Sequence, residues 1–128
     1  MNELDFTIKE AVNEPIKDYK AGSPEKSSLK AKLEELKSQT FDIPIIINGE
    51  EIRTGDTGNC VMPHNHQHIL ATYHKAGEKE VEMAISGALK AWKTWSVTSL
   101  KDRLSIFHKM AELLQGPYRD LINASTML

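Results

Sequence analysis

The sequence predicts an α+β fold: an N-terminal arm, a helix, a β-hairpin with further short strands, and then a run of helices. Three observations carry that expectation. Ile45-Ile46-Ile47 is a β-branched run that meets Asn48-Gly49, a pair suited to the two positive-φ positions of a type I′ turn, before Glu50-Glu51-Ile52-Arg53 returns. Val81, Ala84, Ile85, Ala88, Leu89 and Trp92 recur at helical spacing. Leu29, Leu33 and Leu36 form a narrower seam at i, i+4 and i+7.

Taken in order, residues 1–22 show little periodicity, and Phe6, Ile8, Val12, Ile16 and Tyr19 are expected to anchor them as an extended arm. Residues 23–128 then form one unit. Ser23 is an N-cap type, Pro24 suits the first helical position and Glu25 stands where the helix dipole favours an acid, so a helix starts there and runs to about Gln39. On its outer face Lys30 can pair with Glu34 and Lys32 with Glu35. After the hairpin, Gly55 and Gly58 mark a loop, Asn59 to Met62 reads as a short edge strand stopped by Pro63, and Ile69 to His74 as another strand. The 81–92 helix should bury one full apolar face. Ser99 with Asp102 caps the next helix, whose core positions are Leu100, Leu104, Phe107, Ala111 and Leu114 and which Gly116-Pro117 closes. A last helix starts near Pro117 and uses Leu121 and Ile122, with no stop signal before Leu128.

Composition narrows the function classes. Sixteen basic and eighteen acidic side chains leave a formal charge of -2, which gives no strong positive field for nucleic acid. The longest uninterrupted apolar run, Ile45-Ile46-Ile47, is far short of the roughly 20 residues that a bilayer span needs. Cys60 is the one cysteine, so neither an intrachain disulfide nor a cysteine-based zinc cage is available. The first residues are acidic rather than Arg-rich and carry no apolar run, which points to a cytoplasmic protein.

Few residues could carry chemistry. His64, His66 and His68 alternate like strand-borne metal ligands, but Pro63 and Asn65 suggest a turn, and no carboxylate stands at ligand spacing. Cys60 is expected to be a structural or exposed thiol rather than a nucleophile. Trp92 and Trp95, at helical spacing, read as core packing, and His74 and His108 as surface or half-buried helpers. Gly49, Gly55 and Gly58 lack the spacing of a phosphate-binding turn. The expected catalytic, cofactor-binding and metal residues within the chain are therefore none.

The hairpin with Ile47-Asn48-Gly49-Glu50, the turn Met62-Pro63-His64-Asn65-His66 and the Ala-rich helix ending at Trp95 together resemble the N-terminal region of aldehyde dehydrogenases. Asp102-Arg103 followed by Leu104 to Leu114 is similar to the next helix of that superfamily. Asn13-Glu14-Pro15, Gly22-Ser23-Pro24-Glu25, Pro63-His64-Asn65-His66 and Gln115-Gly116-Pro117-Tyr118-Arg119 resemble the 1-pyrroline-5-carboxylate dehydrogenase branch. The resemblance covers about Val12 to Leu128. It implies part of an α/β NAD-binding domain and, for the whole enzyme, NAD-dependent oxidation of L-glutamate 5-semialdehyde to L-glutamate in proline catabolism. It also implies a cysteine thiolate nucleophile, a glutamate-activated water and an oxyanion hole, all located downstream of the point matching Leu128. The chain alone is then expected to be an inactive N-terminal fragment of a homo-oligomeric enzyme, cytoplasmic in bacteria or in the mitochondrial matrix in a eukaryote. Two alternatives stand beside this: a free-standing interaction module derived from the same region, or a dehydrogenase for another aldehyde.

Overall fold

A computed structural model describes residue 10 and residues 12–128, so Phe6 and Ile8, two of the expected arm anchors, lie outside the described residues. Helix α1 spans Pro24–Lys37 and begins as its local chemistry requires: the Ser23 hydroxyl oxygen accepts from the Lys26 N–H at 3.3 Å, with Pro24 and Glu25 in the first turn. Its leucine seam is half-buried, and Lys32 pairs with Glu35 at 2.6 Å on the outer side.

Strands β1 (Phe41–Ile43), β2 (Ile45–Ile47), β3 (Glu50–Ile52), β4 (Thr57–Met62) and β5 (Asn65–His74) follow. They form two separate sheets, one ordered β1-β5-β4 and the other the β2-β3 hairpin. In the hairpin Ile45 pairs with Ile52 and Ile47 with Glu50. Asn48 at φ 55° and Gly49 at φ 80° make its turn, as the Asn-Gly pair predicts. Strands β4 and β5 run antiparallel through a register shift at Cys60–Met62, with Pro63 and His64 between them. Strand β1, absent from the sequence expectation, lies parallel to β5 with Phe41 opposite Ala71. Pro44 separates it from β2 and lets one extended run serve two sheets, because proline has no N–H to continue a ladder.

Helix α2 covers Glu78–Trp95, α3 Leu100–Gln115 and α4 Arg119–Met127. The Ser99 hydroxyl caps α3 by accepting from the Asp102 N–H at 3.1 Å, and Gly116 ends it. Helix α4 packs against α1, with the Ser28 hydroxyl donating to the Asp120 carboxylate. No helix among the described residues is long and apolar enough to cross a membrane.

The arm is attached differently from the sequence expectation. Val12 and Ile16 are exposed, and polar groups hold the segment instead. Arg119 donates to the Pro15 carbonyl at 3.0 Å and pairs with Glu14 at 3.4 Å, while Asn123 donates to the Tyr19 hydroxyl at 3.2 Å. The core is correspondingly thin: Ile47, Met62, Ala71 and Ala124 are the buried hydrophobic residues among those described.

Candidate functional site

The residues singled out as potential chemistry are dispersed. His64 stands in the β4–β5 turn, whereas His66 and His68 lie on β5, whose start at Asn65 precedes the expected Ile69. Pairing with β4 extends the strand through this polar stretch, which has no apolar alternation to announce it. His64 and His66 are exposed, and the buried Nε2 of His68 has no hydrogen-bond partner. Among the described residues no group of three His, Cys, Asp or Glu side chains is placed to hold a metal ion. Cys60 is exposed on β4, an edge strand as its surroundings suggest. His108 is on α3 and exposed.

One polar cluster does form, from residues far apart in sequence. Asp42 on β1 accepts from Arg53 Nε at 2.6 Å and lies 3.2 Å from Nε2 of His74 at the end of β5. His74 Nδ1 accepts from the Gly55 N–H at 3.3 Å, so the proton of the neutral ring sits on Nε2 and faces Asp42. Arg53 also donates to Glu51 at 2.9 Å. The Arg53 hydrogen bond is the foremost cause holding the Asp42 carboxyl below its ordinary range, with His74 adding to it, and Asp42 followed by Glu51 raises Arg53 in turn. With Asp42 and Arg53 both solvent-exposed, this network ties the hairpin to the three-stranded sheet and contains no activated nucleophile. The His74 side chain is only 9 % exposed, more deeply buried than the surface or half-buried position its sequence context suggests.

A nucleotide would meet poor terms here. The junction between β5 and α2 is a strand-to-helix turn, the kind of place where a helix N-terminus can hold a pyrophosphate. In this chain the Gly77 N–H is already taken by the Glu80 carboxylate at 2.9 Å, with Glu78 beside it. The open depression of about 530 Å³ at this junction is lined by Asp56, Glu78 and Glu80 as well as Arg53, Lys75 and Lys79. Three carboxylates there offset the three basic groups, so no net positive charge gathers at the helix start for a diphosphate.

Helix α2 has two apolar stripes rather than the single buried face its periodicity predicts. Ala84, Gly87, Ala88 and Ala91 line a shallow groove with Ile46, Ile47 and Asn48 of the hairpin, and Gly87 is buried there. The adjacent stripe of large side chains is uncovered, with exposure running from 50 % at Val81 through Ile85 and Leu89 to 64 % at Trp92. Trp95, Leu100, Phe107 and Leu114, also expected in a core, are exposed as well. The small stripe wins the contact because it lets the hairpin backbone approach closely, whereas the large side chains stay half or more exposed.

The aldehyde dehydrogenase family model matches residues 52–127. A delta-1-pyrroline-5-carboxylate dehydrogenase from Agaricus bisporus is 44 % identical over 124 residues, covering 96 % of this chain and 23 % of the relative. The mitochondrial enzyme of that name from Bos taurus is 38 % identical over 119 residues, covering 93 % of this chain and 21 % of its own length. The crystal structure of delta-pyrroline-5-carboxylate dehydrogenase from Mycobacterium tuberculosis bound with NAD superposes with a TM-score of 0.91 at 32 % identity, over 96 % of this chain and 23 % of that one. The chain thus spans less than a quarter of the length of these relatives.

Proposed function

The chain belongs to the aldehyde dehydrogenase family, and from that premise we propose that it forms the N-terminal part of the NAD-binding domain of a 1-pyrroline-5-carboxylate dehydrogenase. The whole enzyme oxidises L-glutamate 5-semialdehyde to L-glutamate with NAD as hydride acceptor, in proline catabolism. The observation that carries this reading is the 44 % identity to a relative of that name across 96 % of the chain. The NAD-bound relative supports the cofactor. Residues 1–22 serve as an arm and 23–128 as the domain portion.

On this reading the catalytic cysteine, the general base and the nucleotide turns belong to parts of the enzyme outside the described residues. The start of α2 supports that division, since its Gly77 N–H is already bonded to Glu80 and its charges are balanced, leaving little to hold a diphosphate. The enzyme assembles as a homo-oligomer. It works in a bacterial cytoplasm or, in a eukaryote, in the mitochondrial matrix, a reading supported by the mitochondrial enzyme of Bos taurus.

A free-standing module is the second reading, and the uncovered stripe of α2 weighs against it, because a self-sufficient domain places its large apolar side chains in its own core. The test is replacement. This chain is exchanged for the matching region of the Mycobacterium tuberculosis enzyme, and NADH formation from L-glutamate 5-semialdehyde is measured. Turnover by the chimera with none from the isolated chain is expected; turnover by the isolated chain would overturn the assignment.

A further inference from the structure

We propose that His74 is a proton-operated latch on the loop joining the hairpin to the three-stranded sheet: its neutral ring holds Gly55, and its protonated ring releases Gly55 while keeping its hold on Asp42.

The ring stands between two segments that are far apart in sequence. Its Nδ1 accepts from the Gly55 N–H at 3.3 Å, and its Nε2 lies 3.2 Å from Oδ1 of Asp42. Only the neutral ring with its proton on Nε2 serves both partners, since one nitrogen must accept and the other donate. Protonation puts a second N–H on Nδ1, where it confronts the Gly55 N–H, so an acceptor is lost and two donors face each other. On the other side the new charge strengthens the bond to the Asp42 carboxylate. Asp42 can answer that pull without giving up Arg53, because Arg53 Nε takes Oδ2 and His74 takes Oδ1. With the His74 side chain only 9 % exposed, water has little room to replace the lost bond, and the release is a movement of Gly55 toward solvent. The proton thus shifts the grip of the ring from the loop to strand β1.

The loop is built to respond at that one point. Gly55 is at φ 81° and the place a β-carbon would take is open, so no packed side chain holds it. Its neighbours are fixed by bonds that carry no titrating group: the Thr54 hydroxyl donates to the Lys75 carbonyl at 2.9 Å, and the Lys75 N–H to the Asp56 carbonyl at 2.8 Å. The charged groups around the ring are Asp42 from β1, Arg53 with Glu51 from the end of the hairpin, and Asp56 paired with Lys75 at 3.2 Å. On the α2 side, Glu78, Lys79 and Glu80 line the depression beside Lys75. Thr57, opposite His74 on β4, is uncharged. Side chains of these charged types ordinarily titrate outside the window of roughly pH 5 to 8 that belongs to imidazole.

The test is amide hydrogen exchange in the 128-residue chain, followed by NMR from about pH 5 to 8 alongside the His74 ring shifts. Corrected for the intrinsic rate at each pH, the Gly55 N–H should lose protection about tenfold or more as the ring takes up its proton, in step with the ring's own titration. The Lys75 N–H, one residue from the ring, should keep its protection. His74→Asn leaves an acceptor close to the place of Nδ1 but cannot titrate, and Gly55 protection in H74N should be flat over the same range. Constant Gly55 protection in the parent, or none at any pH, refutes the latch. An equal loss at Lys75 does so too, because it reports general loosening in acid, as does a neutral ring whose nitrogen shifts place the proton on Nδ1. Should H74N fail to fold, the comparison of Gly55 with Lys75 in the parent decides alone.

Discussion

Gly87 of α2 and Asn48 of the hairpin turn share one space: a β-carbon on Gly87 would overlap the Asn48 side-chain amide. Asn48 reaches that position from a φ of 55°, a left-handed conformation that Asn tolerates better than most residues. The turn residue that reverses the hairpin is thus also the residue that docks it on the helix. One glycine in the middle of an 18-residue helix makes the contact possible.

Gly87→Ala is accordingly expected to destabilise the chain. Alanine improves helix propensity by about 1 kcal/mol, but overpacking against Asn48 costs about 1 to 3 kcal/mol. Adding Asn48→Gly, which keeps the positive φ available and removes the obstructing amide, should restore most of the loss. Urea denaturation followed by circular dichroism of the two single variants and the double variant tests this, and a G87A chain more stable than the parent would show that the hairpin does not sit on α2.

Acid should loosen the junction between the two sheets. The Asp42 pKa is lowered in the folded chain from an ordinary value of 3.8, foremost by the Arg53 hydrogen bond. A depressed carboxyl pKa contributes stability above its unfolded value and loses it as pH falls through the folded one. The thermal midpoint of the parent should therefore drop more steeply than that of Asp42→Asn below about pH 4, with the two curves approaching each other in acid. Parallel curves across that range would mean that the Asp42–Arg53 pair does not couple to folding.

Arg119→Ala should release the arm while leaving the helices in place. Arg119 is the shared partner of the Pro15 carbonyl and the Glu14 carboxylate, and Val12 and Ile16 contribute no burial to replace it. Trypsin cleavage at Lys17 and Lys20 should accelerate several-fold with little change in the far-ultraviolet spectrum. Unchanged cleavage would place the hold on the arm at Tyr19 and Asn123 instead.

Where a signal is local, the sequence was a good guide. Ser23 and Pro24 announce α1, Asn48-Gly49 the hairpin, Ser99 and Gly116 the limits of α3, and the structure has each of them there. Nonlocal features were out of reach. Strand β1 exists because Phe41 finds Ala71 thirty residues on, and Asp42, Arg53 and His74 meet only once both sheets are formed. Gly58 reads as loop punctuation but lies inside β4, where the Tyr73 ring covers the place a side chain would take. The resemblance to dehydrogenases was visible in short motifs such as Pro63-His64-Asn65-His66, whereas the division of α2 into two stripes was not. Periodicity counts alanine and tryptophan alike as apolar, and the structure distinguishes them by size.

That distinction yields the last prediction, a reversal of the usual ranking of substitutions. A Leu-to-Asp change in the apolar stripe of an amphipathic helix ordinarily removes core burial and costs several kcal/mol. Leu89 is 62 % exposed in this chain, so Leu89→Asp forfeits little more than helix propensity, about 0.5 kcal/mol. The single added methyl of Gly87→Ala, two residues away, should cost more. The same Leu89→Asp chain should bind less of an apolar dye and remain soluble at higher concentration, because the charge interrupts the exposed stripe. Urea midpoints and dye fluorescence on the two variants decide it: a larger loss for L89D than for G87A would mean that the stripe is already covered within the chain.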